Sequence, residues 1–262
     1  MALKSADDKS KRLVLLEELQ RSPALDLSQK KWLREELMRT RKGIQGERES
    51  AHYLDHYFKD AENHVLLHDL RFVIEGEVTQ IDHLILNRAG NVYLLETKNY
   101  ACNLVINDRG EFTAEYENAR FGIPSPIEQS LRHEKVLRQL LERLDIVGRT
   151  QKHSDFHHVV MLHPKATIER PPAKIFDTAN VIKADHRQAA SRQVDILLRK
   201  NRRAIGDELR LVHLRLVEID ARSSANRPRI SPPRVIGKAQ ARSEVLVVPL
   251  NHGIANLPER RE

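Results

Sequence analysis

The chain has 262 residues, 40% of them hydrophobic and 31% charged, with a formal net charge of +7. That balance excludes a disordered chain, and the length allows one large domain with appendages. The single cysteine, Cys102, excludes an internal disulfide and suits a reducing compartment. No apolar run approaches the ~20 residues of a membrane span. The first twenty residues lack the apolar core of a signal peptide. The expectation is a cytoplasmic protein with no membrane partner. The positive charge reads either as solubility or as attraction to a polyanion such as nucleic acid.

Residues 1–42 read as an N-terminal helical extension made of two short amphipathic helices. The first carries Leu13, Leu16 and Leu19. The second starts near Leu27, with Ser28 as its N-cap, and carries Trp32, Leu33 and Leu37. Pro23 and Asp26 mark the break between them. Lys30, Lys31, Arg34, Arg39, Arg41 and Lys42 make the second helix strongly basic, and such runs usually face solvent. A further helix is predicted to open at Gly43-Ile44-Gln45-Gly46, with Ala51, Leu54, Tyr57 and Phe58 inward. Glu47 then falls in its first turn.

From His64 the period switches to two. Strands are predicted over 64–74, 78–87, 92–99, 103–108 and 111–118, with turns at Glu75-Gly76-Glu77 and Asp108-Arg109-Gly110. Residues 118–126 read as a loop. Ser125 can cap and Pro126 suits the first position of a helix over 126–144. Its predicted inward residues are Ile127, Leu131, Leu137, Leu140, Leu141 and Leu144. Apolar strands follow within 157–164 and 179–185, then a helix over 186–200. The strand–helix rhythm extends a mixed α/β sheet. Residues 206–219 are ambiguous and are taken as helix. From 221 onward Pro, Ser and Arg dominate, as in a flexible basic tail, although 245–250 could pair onto a sheet edge. The division is therefore 1–42, an α/β domain over 43–220, and a tail over 221–262.

The stretch from Gln80 to Tyr100 carries the chemistry. It reads as a hairpin with Asp82 on the first strand and Glu96 and Lys98 on the second. Glu96 and Lys98 are two apart, so they share a face with Leu94, while Tyr93, Leu95 and Thr97 take the other. Register decides whether Asp82 meets Glu96. Carboxylates gathered at one point repel unless a cation lies between them. An all-oxygen set from Glu47, Asp82 and Glu96 suits Mg²⁺ or Mn²⁺. Beside such an ion, Lys98 could orient or deprotonate a water, or stabilise the transition state of phosphodiester hydrolysis.

The ordered pieces are Gly-x-x-Gly-Glu at 43–47, Gln-Ile-Asp-His at 80–83, Glu-Thr-Lys-Asn at 96–99 and Pro-x-x-Gln at 126–129. Together, over about residues 43–145, they resemble the nuclease-related domain (NERD) family of the PD-(D/E)xK nuclease superfamily. The resemblance implies a restriction-endonuclease-like mixed sheet flanked by helices. It implies that Asp82 and Glu96 bind the metal, that Lys98 is the catalytic lysine, and that Glu47 and Gln129 approach from helices. Ile81 stands where the superfamily's nominal motif has Pro.

Each residue has a plainer alternative. Glu96 and Lys98 could be an ordinary ion pair, Glu47 a helix-start charge and Gln129 a surface amide. His83, facing away from Asp82, is read as a packing or hydrogen-bonding residue. The expected function is a Mg²⁺-dependent nuclease acting on DNA rather than RNA, in DNA processing or repair. The alternative is a catalytically silent nucleic-acid-binding module, or an interaction subunit of a larger DNA-processing system.

Overall fold

A computed structural model describes residues 2–58, 64–87, 91–144, 155–185 and 216–217. The chain enters through a short strand, β1 (Ala2–Lys4), and helix α1 (Ser10–Arg21). One helix of 32 residues, α2 (Leu27–Phe58), then replaces the two that the sequence predicts. Its N-terminus is capped by Asp26, not Ser28. The Asp26 carboxylate accepts from Gln29 N (2.7 Å), and the Gln29 amide accepts from Asp26 N (3.0 Å), a reciprocal capping pair. Glycines in a helix cost about 1 kcal/mol each relative to alanine, which is why Gly43 and Gly46 read as a break. Burial at both ends of α2 offsets that cost. Leu33 and Leu37 pack with Leu16 of α1, while Leu54 and Phe58 lie in the main core. Trp32, by contrast, is exposed. The predicted boundary at 42/43 falls within this helix.

Three long strands follow: β2 (His64–Ile74), β3 (Glu77–Asn87) and β4 (Val92–Lys98), antiparallel in sequence. Glu75 and Gly76, both with positive φ, make the first turn. Next come β5 (Asn103–Ile106), β6 (Phe112–Tyr116) and β7 (Ala119–Ile123), the last lying where a loop was predicted. It is an edge strand that buries only Ile123, so it shows no apolar alternation. Helix α3 (Pro126–Arg143) begins as expected, with the Ser125 hydroxyl accepting from Glu128 N and Pro126 in the first turn. Leu131 points to solvent, not inward. The last described strands are β8 (Phe156–Leu162), β9 (Thr167–Glu169) and β10 (Val181–Lys183). Neither β1 nor β9 is predicted by the sequence, each being three residues long.

The main sheet runs β1-β2-β3-β4-β8-β10 and the smaller one β7-β6-β5-β9. β4, β8 and β10 are parallel neighbours, so the later segment does extend the sheet. The two helices cover opposite faces. Leu70, Phe72, Leu84, Leu86 and Leu94 pack against Val136, Leu137, Leu140 and Leu141 of α3. On the other face Leu66, Ile85, Tyr93, Leu95 and Met161 pack against α2. Each fully buried side chain of this kind contributes roughly 1.5–3 kcal/mol. A third core joins the sheets through Leu104, Ile106 and Phe112 against Val160, Leu162 and Val181. The architecture is the restriction-endonuclease-like mixed α/β arrangement expected. The predicted helix over 186–200 and the tail from 221 lie outside the described residues. Of 206–219 only Leu216 and Val217 are described; they are helical, and Leu216 is in the α3-side core. Among the described residues no helix is long and apolar enough to cross a membrane.

Candidate active site

The β3–β4 ladder pairs Leu86 with Val92, Ile85 with Tyr93, Leu84 with Leu94 and His83 with Leu95, and stops there. The next step would set Asp82 against Glu96. β4 instead continues paired only with β8, through Glu96, Thr97 and Lys98. Where β3 parts from β4, the Asp82 carboxylate takes over: its Oδ2 accepts the Thr97 backbone N–H at 2.8 Å. Asp82 thus does for β4 what a strand carbonyl does elsewhere. This brings both predicted acids to one level of the sheet, buried at 8% and 3% exposure.

Lys98 and Gln129 complete the arrangement. Lys98 Nζ donates to Glu96 Oε1 (2.8 Å) and to Gln129 Oε1 (3.0 Å). Gln129 Nε2 donates to the same Glu96 oxygen at 2.5 Å. The three side chains close a ring in which the amide's orientation is set by its two partners. The ion pair is therefore braced from α3. One helical turn beyond Gln129, His133 Nδ1 lies 3.5 Å from Glu96 Oε2. His133 was not singled out in the sequence. Its i+4 spacing from Gln129 was the available signal.

Glu47 reaches the site from the middle of α2, not from a helix start. Gly46 makes that approach possible, because a Cβ there would sit 2.6 Å from Asn99 Cβ. Asn99 also donates to the Lys42 carbonyl at 2.6 Å. The Gly-x-x-Gly-Glu and Glu-Thr-Lys-Asn motifs thus interlock, Gly46 against Asn99. Glu47 is ion-paired to Lys9, which also lies 3.2 Å from Asp69 Oδ2. Neither Lys9 nor Asp69 is anticipated by the sequence. Lys9 gives no local signal, since the contact spans 38 positions. Asp69 shares its strand with His64, His68 and Arg71, so its polarity alone does not single it out. It occupies the register step opposite Asp82, between the pairs His68–His83 and Leu70–Ile81. Its φ of 51° is one that Asp tolerates better than most residues. There the parity facing α3 changes: Val65 and Leu67 before it, Leu70 and Phe72 after it.

Asp69, Asp82, Glu96 and Glu47 therefore face two ammonium groups, Lys9 and Lys98. Burial, then the Glu96 charge, pushes the Asp82 carboxyl up to about 7. Burial, then Asp82, pushes Glu47 up to about 7 as well. Burial also raises Glu96. Burial alone would lower Lys98, but Glu96 and Asp82 more than offset it and raise it. Lys98 is thus held as an ammonium, suited to donating hydrogen bonds and stabilising negative charge rather than to accepting a proton. Among the described residues no three His, Cys, Asp or Glu side chains are arranged to hold a metal ion. Two buried carboxylates on adjacent strands remain as an oxygen donor pair. That fits a small hard cation, which is commonly held by one or two carboxylates and keeps several waters.

A Ser–His–Glu chain lies next to this site: Ser130 Oγ is 2.7 Å from His158 Nδ1, and His158 Nε2 is 2.7 Å from Glu134 Oε2. Ser130 is 1% exposed, so no substrate reaches its hydroxyl. The chain is a brace between α3 and β8.

The family model of the nuclease-related domain, NERD, matches residues 42–163. No curated protein and no solved structure matches the chain. The matched span contains Glu47, Asp82, Glu96, Lys98 and Gln129, and excludes Lys9. Over residues 42–163 the chain is thus similar to the nuclease-related (NERD) domain, whose general context is the PD-(D/E)xK superfamily.

Proposed function

We propose that the protein is a divalent-metal-dependent nuclease that hydrolyses phosphodiester bonds of DNA, in DNA processing or repair. One observation carries this reading. Two buried carboxylates, Asp82 and Glu96, stand at the same level of adjacent strands, and the Lys98 ammonium is fastened to one of them. Buried carboxylates are unfavourable without a cation; burial is the first cause of the upward shift of each, and the Glu96 charge adds to that of Asp82.

Asp82 and Glu96 would hold Mg²⁺ or Mn²⁺, with Glu47 a further oxygen donor once Lys9 gives way. Such an ion makes a phosphoryl group more electrophilic and a water more acidic. Lys98 would donate to an anionic oxygen of the phosphodiester as charge builds up in the transition state. Gln129 holds Lys98 and Glu96 in mutual register. The net charge of +7 favours a polyanionic partner and supports DNA as the substrate.

The test is cleavage of linear, nicked and single-stranded DNA with Mg²⁺, Mn²⁺ or EDTA. Wild-type protein should cut with either metal and stop in EDTA. Asp82→Ala and Lys98→Ala should each lose about 10²–10³-fold in kcat, the usual cost of removing one transition-state charge contact. Variants that cut as fast as wild type would refute the reading. Salt-sensitive DNA binding without cleavage would favour the silent binding module.

A further inference from the structure

On the α2 side of the sheet, behind the acidic residues, four side chains form a continuous chain. Thr97 Oγ1 lies 3.1 Å from His83 Nε2, His83 Nδ1 lies 2.7 Å from His68 Nδ1, and His68 Nε2 lies 3.2 Å from Asp55 Oδ1. His68 and His83 are directly opposed in the β2–β3 register and are 2% and 1% exposed. Asp55, on α2, is the end that reaches solvent, with its side chain 42% exposed. None of the four belongs to the ion-binding arrangement described above.

The direction of every bond follows from one end. A carboxylate only accepts, so His68 Nε2 carries a proton and donates to Asp55. Both rings lie in the dry interior and their Nδ1 atoms sit at hydrogen-bond distance, with no second carboxylate among the four side chains to offset an imidazolium, so each ring is neutral, with one N–H and one bare nitrogen. His68 Nδ1 therefore accepts, and His83 Nδ1–H donates to it. His83 Nε2 is then bare and accepts the Thr97 hydroxyl proton. Reversing any one member would set two donors or two bare nitrogens face to face in a dry interior, at the cost of a lost buried hydrogen bond.

The inner end of this chain grips the residue that holds Asp82. Thr97 lies between Glu96 and Lys98, and its side chain points to the opposite face. Its backbone N–H is the donor to Asp82 Oδ2. We propose that Asp55, His68 and His83 are positioning residues: through the Thr97 hydroxyl they fix β4 where β3 departs from it, and so set the Asp82 carboxylate against Glu96. The chain crosses α2, β2, β3 and β4 and ties all four at the level of the acids. The consequence for metal binding and cleavage rests on the nuclease reading; the bond directions do not.

The experiment uses the full chain. Long-range imidazole ¹⁵N spectra should show His68 protonated at Nε2 and His83 at Nδ1; the opposite tautomers would overturn the chain. Thr97→Val removes the hydroxyl at nearly constant shape, and Thr97→Ser keeps it. In EDTA, slow amide exchange at residue 97 reports the bond to Asp82. It should be lost in Thr97→Val and restored in Thr97→Ser, and equal protection in both variants would overturn the inference. With Mn²⁺, Thr97→Val should weaken binding about tenfold, the lower end for loss of an outer partner of a metal ligand, and Thr97→Ser should recover it. If wild-type protein binds no Mn²⁺, the nuclease reading fails, while tautomers and exchange still decide the positioning role.

Discussion

The two halves of β4 obey opposite rules. Val92, Tyr93, Leu94 and Leu95 are paired on both sides, to β3 and to β8, and all four are buried apolar groups. Glu96, Thr97 and Lys98 are paired to β8 alone. The first half is core, stabilised by burial. The second half carries its charges where water is nearly excluded, and depends on lysine, amide and backbone partners to do so. One strand therefore anchors the site with one end and builds it with the other. The change comes where β3 leaves, because departure of a neighbour frees backbone groups that a carboxylate can then engage.

The comparison predicts substitutions of opposite sign around the two ends of β4. Leu94→Ala, in the apolar half, should cost about 2–5 kcal/mol by leaving a cavity against α3. Chemical denaturation reads this directly, and a smaller loss would mean that the two halves differ less than their pairing implies.

The glycines of α2 sharpen the contrast from the helix side. Gly46→Ala should destabilise by about 1–3 kcal/mol, since the new methyl meets Asn99 Cβ rather than a flexible tip. It should also move Glu47 away from the acids. Gly43→Ala meets nothing within 4 Å and should gain about 0.5–1 kcal/mol from helix propensity. Denaturation midpoints of the two variants should move in opposite directions.

The acids gathered around the polar half should respond to pH with the sign of a strained acid pair. Asp82 and Glu47 both titrate near 7 in the folded chain, above their ordinary values of 3.8 and 4.5. Between about pH 4 and pH 7 the folded protein therefore keeps protons that the unfolded chain has lost. Stability falls as pH rises through that window and levels off above it. In EDTA, Tm should decline from pH 5 to pH 7.5. Asp82→Asn should flatten the decline and raise Tm at pH 7.5 by on the order of 2–4 °C, the shift that ~1 kcal/mol gives a chain of this size. A steeper decline in the variant would contradict this account of the acids.

The smallest effect concerns Lys9, whose ammonium serves Glu47 and Asp69 from outside the matched domain. Lys9→Met should lower Tm in EDTA and enlarge the gain in Tm on adding Mn²⁺, because the acids then lack their internal cation. An unchanged response to Mn²⁺ would show that Lys9 does not compete with the ion.

Much of the acidic site was readable in advance, and for a local reason. The period of two put Glu96 and Lys98 on the face of Leu94, and the structure keeps them there. Ser125 and Pro126 announced α3 and so placed Gln129 in its first turn. The misreadings share a different origin. Gly43 and Gly46 looked like punctuation because propensity is a weak signal that packing at both ends of α2 overrides. β7 was missed because an exposed edge strand has little apolar alternation to show. Lys9, Asp69 and His68 entered no motif, because their partners are far away in the chain.

By itself, then, the sequence determined the identity and facing of the hairpin's charged residues, since alternation along a strand is a property of the backbone alone. Only the tertiary structure decided which acid meets which, that a lysine from the N-terminal segment answers one of them, and that two buried histidines hold the threonine behind them. Those outcomes depend on strand register, on the parting of β3 from β4 and on the close approach of α2 at Gly46, none of which any single segment specifies.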